Sequence, residues 1–99
     1  MVKHIILWKL KESLSAEEKK AAALETKTRL ENLNGQIPGL RSITVQIDAL
    51  ASSNADMMLD SLFDDEAALA GYQTNPLHVA AATFVRSVVE TRLCLDYIV

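Results

Sequence analysis

A single cysteine, Cys94, cannot close an internal disulfide, so this 99-residue chain has no covalent staple of its own. That usage fits a reducing cytoplasm. Lying in an apolar stretch with no second thiol, Cys94 is expected to be a passive, packed side chain rather than a nucleophile. Prolines number two and glycines three, and there are no repeats, low-complexity tracts or linkers. One domain spanning 1–99 is therefore expected, with one core. Aromatic residues are equally scarce: one tryptophan, two tyrosines and two phenylalanines. The core must be built mainly from Leu, Ile, Val, Ala and Met. Basic residues are no surplus either, since 10 Lys and Arg against 13 Asp and Glu leave a net charge of −3. Thinly spread cations offer no electrostatic footprint for nucleic acid. No apolar run reaches the length of a membrane span. The opening "HIILWKLK" carries a lysine and is followed by no small-residue cleavage site, which argues against a signal peptide.

What is present is apolar residue in quantity, 49% of the chain, and clear punctuation. "VKHIILWKL" (2–10) is β-rich, with Val2, His4, Ile6, Trp8 and Leu10 on one face and Lys3, Ile5, Leu7 and Lys9 on the other. "SAEE" then supplies Ser15 as N-cap and Glu18 as its reciprocal partner. The helix that follows carries Ala23, Thr26, Leu30, Leu33 and Ile37 near one stripe and stops at Gly35. A second strand is expected over 40–50, with Ile43, Val45 and Ile47 on its apolar face, and a third over 56–65. Met57 and Met58 serve there as core and pocket filler. Asp56 and Asp60 share a strand face but lack the further ligands a metal site needs. They are expected to be solvated or paired with Arg92 or lysines.

The acidic run Asp64, Asp65 and Glu66 suits a helix N-terminus. That helix must end before Pro76, and Asn75 with Pro76 starts another, Asn75 as cap and Pro76 in the first turn. "VVETRLCLDYIV" (88–99) closes the chain as a fourth strand, with Val89, Leu93, Leu95, Tyr97 and Val99 on its apolar face. The order β-α-β-β-α-β is that of a ferredoxin-like α+β sandwich, four antiparallel strands with helices on one face. Strand one is apolar on both sides, Ile5 and Leu7 backing onto Ile6 and Trp8. Two-sided cover implies a second sheet, most simply a second copy of the chain in a twofold dimer. His4, Ile6 and Trp8 should face the helices, with Ile5 and Leu7, or their face-mates on strands two to four, at the dimer interface.

Four blocks, "VKHIILWKLK", "IPGL", "DMMLDSLFDDEAALAGYQTNPLHV" and "VVETRLCLDYIV", resemble the stress-responsive dimeric α/β-barrel family in order and spacing. The resemblance spans essentially the whole chain. It implies a homodimer whose two sheets form a barrel-like interior. Relatives include plant heat-stable stress proteins and the polyketide cyclase that makes olivetolic acid. In that cyclase the tyrosine and histidine of a "Y-x-x-x-P-x-H" corner are the catalytic pair, and a first-strand histidine lines the pocket. Those roles fall here on Tyr72, His78 and His4.

Read from its residues, the corner "GYQTNPLHVA" (71–80) has three meanings. On one continuous helix Tyr72 and His78 would stand about 120° apart. The break at Asn75–Pro76 can bring them together over the sheet. His78 in a helix's first turn is disposed to stay neutral and accept a proton, while Tyr72 donates to a carbonyl or enolate. That is acid–base chemistry without metal or organic cofactor. The alternatives are a ligand-binding corner, or a helix junction in which His78 caps backbone and the Tyr72 hydroxyl reaches water. Three functions follow: a dimeric module binding a small apolar or aromatic molecule, a cofactorless cyclase-, lyase- or oxygenase-like enzyme, or a protein whose work is assembly. A cavity lined by His4, Trp8, Tyr72 and His78 separates the first two from the third.

Overall fold

The computed structural model describes all residues from Met1 to Val99. The elements are β1 (Val2–Leu10), α1 (Ala16–Glu31), β2 (Leu40–Gln46), β3 (Met57–Phe63), α2 (Glu66–Thr74), α3 (Pro76–Val88) and β4 (Val89–Ile98). Four strands form one antiparallel sheet in the order β2-β3-β1-β4, and this is the ferredoxin-like arrangement expected. No helix is long and apolar enough to cross a membrane.

Local chemistry sets the element ends. Ser15 Oγ accepts from Glu18 N–H while Glu18 returns the bond to Ser15 N–H, so the capping box closes on both sides. α1 ends earlier than Gly35 suggests: Asn32 caps it, and the next residues run on as turns. The Asn34 side chain explains that exit. It donates to the Ile43 carbonyl at 2.9 Å and accepts from Ile43 N–H at 3.1 Å, tying the turn to β2. Asp65 caps α2 through Ala68 N–H, and Asn75 caps α3 through Leu77 N–H, with Pro76 in the first turn. β2 is shorter than expected because Asp48 adopts a left-handed φ of 60°, which breaks the strand beyond Gln46.

The core lies between the sheet and the helices. Val2, Ile6, Trp8 and Leu10 from β1 meet Leu30 and Ala22 of α1, Leu69 and Tyr72 of α2, and Ala81 and Val85 of α3. In α1 it is Ala22, not Ala23, that is fully buried; Ala23 packs at the margin of the core. The opposite sheet face carries no helix. There Ile5 pairs with Leu95 and Leu7 with Leu93. Leu95 is 63% exposed and Leu93 71% exposed. The apolar face expected of β4 is thus split. Leu93, Leu95 and Tyr97 lie on the open face, whereas Val89 lies beyond a register shift opposite Lys9 and Leu10 and pairs with Leu10 on the helix side.

Candidate functional site

Alternation along β1 sends His4, Ile6 and Trp8 beneath the helices, and all three are at least 95% buried. α2 and α3 cross above them. Asn75 has an extended backbone (φ −63°, ψ 129°), which ends one helix and redirects the next. That break brings the Tyr72 and His78 rings to a centroid separation of 4.0 Å at an interplanar angle of 38°. Tyr72 packs in turn against Phe63 at 4.9 Å and meets His4 edge-on at 6.2 Å.

Between sheet and helices lies a cavity of about 570 Å³. Its floor is His4, Ile6, Trp8 and Leu59, and its walls are Leu30, Tyr72, His78, Ala82 and Val85. All five residues expected at a site, His4, Ile6, Trp8, Tyr72 and His78, therefore border one space. A filled core would have left no such void.

The polar atoms around it are unevenly satisfied. Tyr72 is 1% exposed and its hydroxyl has no hydrogen-bond partner. The Thr26 hydroxyl is likewise buried without a partner, but Thr26 does not border the cavity. Burial holds the Tyr72 phenol far above its ordinary range, with the Arg92 charge opposing only in part, so it stays protonated as a donor. His78 Nδ1 lies 3.4 Å from the Gln73 carbonyl, which can only accept. The proton then sits on Nδ1, and Nε2 is left with its lone pair. Burial lowers the His78 pKa below 6.5; the Gln73 bond resists, and the nearby His4, Arg86 and Arg92 add to the lowering. A neutral base next to a protonated phenol is the result.

His4 is held from the other side. Its Nδ1 bonds to Asp96 Oδ1, and Cys94 Sγ lies 3.7 Å from that nitrogen and 3.4 Å from the same carboxylate oxygen. These donor atoms fall within 4.8 Å of one another, the spacing of groups around one cation. The histidine nitrogen and carboxylate oxygen are, however, already spent on each other. Cys94 is exposed rather than packed, because no helix covers β4, and its thiol is pushed up by partial burial and the Asp96 carboxylate.

Asp96 and Arg86 escaped sequence reading, and Arg92 entered it only as a partner for Asp56 or Asp60. The signal was available in the strand pairing, which sets Asp96 opposite His4, Cys94 opposite Ile6 and Arg92 opposite Trp8. Arg92 is also no partner of Asp56 or Asp60. Asp60 pairs with Lys3 at 2.6 Å, and Asp56 accepts from Leu10 N–H at 2.7 Å.

Comparison with known proteins places this architecture. The family model described as the stress responsive A/B barrel domain matches residues 2–99. The chain belongs to that family. A dimeric protein of unknown function and ferredoxin-like fold from Bacteroides fragilis is 34% identical, with a TM-score of 0.91 over 97% of this chain and 93% of that one. The hydroxynitrile lyase of Passiflora edulis shares the fold at 18% identity and a TM-score of 0.74, covering 99% and 92%. An antibiotic biosynthesis monooxygenase does so at 13% identity and 0.76, covering 100% and 98%. No curated protein matches. Proteins named for different activities thus share this fold, and for this chain function must be argued from the cavity.

Proposed function

We propose that this A/B barrel protein binds a small apolar or aromatic molecule in the cavity between sheet and helices. The observation that carries the reading is a cavity of about 570 Å³ bordered by Tyr72, whose buried hydroxyl is unpartnered. A buried donor without a partner costs about 1–3 kcal/mol, which an incoming acceptor recovers. Ile6, Trp8, Leu59 and Val85 supply the apolar body of the site. A purely assembling protein has no use for this void.

A second reading builds on the same pair. Tyr72 polarises a ligand carbonyl or stabilises an enolate while neutral His78 takes a proton through Nε2, chemistry of the cyclase or lyase type. The close, tilted contact of the two rings and the lowered His78 pKa favour it. In either case the working form is a homodimer, supported by Leu7, Leu93 and Leu95 exposed together on a sheet face that no helix covers.

Trp8 is the sole tryptophan and lines the cavity, so its indole N–H resonance reports occupancy. Titration with cinnamyl alcohol, a neutral aromatic probe, is expected to shift that resonance. His78→Ala should abolish the shift while leaving dimer mass and melting temperature nearly unchanged. An indole signal unmoved at millimolar probe overturns the binding reading.

A further inference from the structure

Two guanidinium groups border the cavity and remain without a carboxylate. Arg86 on α3 and Arg92 on β4 both line it, and both residues are exposed, so they stand at its mouth. The ion pairs of the molecule are made by Lys3, His4, Lys9, Lys19, Lys27, Arg29 and Arg41, and none by Arg86 or Arg92. Lys11 and Lys20 are unpaired as well, but of the four unpaired cations only Arg86 and Arg92 border the cavity. Both charges bear on His78, and Arg92 bears on Tyr72 as well, so they are close to that pair.

The polarity of the cavity is therefore ordered. Unpaired cations border it at the surface, buried apolar side chains line it, and the buried, unpartnered Tyr72 hydroxyl belongs to a ring packed on half-buried His78. We propose that Arg86 and Arg92 form an anion-holding rim, and that the ligand is a planar apolar molecule carrying a carboxylate that faces them. Guanidinium suits this task because its planar fork matches carboxylate geometry and cannot lose its charge. The carboxylate faces the mouth, where water still reaches it. The apolar body lies over Ile6 and Trp8, and a carbonyl or hydroxyl at the inner end meets Tyr72 and His78. A wholly neutral ligand would leave both cations idle, and a doubly charged one would bury charge against Trp8.

This assignment rests on the binding reading above, and cinnamate paired with cinnamyl alcohol separates the two. The probes share one aromatic stem and differ in the terminal group, a carboxylate ionised at neutral pH against a hydroxyl. Affinities are read from the Trp8 indole resonance. At low ionic strength cinnamate is expected to bind about tenfold tighter, the gain of a charge-assisted over a neutral hydrogen bond. The gap should narrow with added salt, because the rim is exposed. Arg86→Gln with Arg92→Gln should close the gap by weakening cinnamate alone; both side chains are at the surface, and either single change serves if the pair unfolds. Arg92→Lys should restore only part of it. Cinnamate binding no tighter than the alcohol, or a gap that survives both substitutions, overturns the anion rim and leaves the binding reading standing. If neither probe moves the resonance, both fall.

Discussion

Tyr72→Phe is the sharpest test of what the buried corner is for. The substitution keeps the ring and its contacts with Phe63 and His78, and removes one oxygen that has no partner. Were the hydroxyl a structural hydrogen-bonding group, its loss would cost about 1 kcal/mol. Here nothing in the protein loses a bond. An unsatisfied buried hydroxyl costs about 1–3 kcal/mol, so its removal should stabilise the fold. Taking about 1 kcal/mol, and a response of roughly 4–8 °C per kcal/mol for a domain of this size, the melting temperature should rise by about 4–8 °C in a dry site. Calorimetry should be run at one fixed protein concentration, because self-association shifts apparent stability by mass action. The same variant should bind cinnamyl alcohol roughly five- to tenfold more weakly, the scale of one neutral hydrogen bond. Stability gained and binding lost is the signature of a site residue. A melting temperature lowered by the equivalent of 1 kcal/mol or more would refute the reasoning.

Other expectations follow from other parts of the molecule. Leu95→Asp places a charge on the open apolar face; light scattering should show dissociation to monomer or loss of fold, and an unchanged dimer mass would remove that face from the interface. Gly39→Ala should destabilise by about 2 kcal/mol or more, since φ is +80° and the new methyl would lie 2.4 Å from Ala68 Cβ; Gly35→Ala, at φ +79° with open space around it, should cost only about 1 kcal/mol, and urea titration compares them. Ser15→Ala opens the capping box and should cost about 1 kcal/mol by the same assay. For His78, surrounded by Tyr72, His4, Arg86 and Arg92, the folded pKa lies below the unfolded value of 6.5. The unfolded chain therefore takes up the proton first, and stability falls as pH drops from 6.5 through the folded pKa. His78→Gln should flatten urea midpoints across that window, and an unchanged slope would contradict the burial of the ring.

What local chemistry encodes could be read directly from residue order. Period-2 alternation in "VKHIILWKL" put His4, Ile6 and Trp8 on the helix side because side chains in a strand must alternate, whatever surrounds them. Ser15 with Glu18 and Asn75 with Pro76 are contacts between near neighbours, so their caps and the α2–α3 break were legible too. Tertiary structure decided the rest. His4 bonds to Asp96 across 92 residues only because β1 is threaded between β3 and β4. A register shift opposite Lys9 and Leu10, invisible to any repeat of two, moved Val89 to the cavity side and left Leu93 and Leu95 outside. The amount by which a chain turns at Asn75 is not written in helical periodicity, yet it brings Tyr72 to 4.0 Å from His78. Arg92 offers the clearest contrast: composition suggested a partner among the acids, but Lys3 and the Leu10 amide reach Asp60 and Asp56 first. Sequence by itself determined the elements, their caps and their inward faces, because these depend on neighbours along the chain. The cavity, its unpartnered hydroxyl and its two free cations exist only once distant strands and helices have met, because pairing is a competition settled in space.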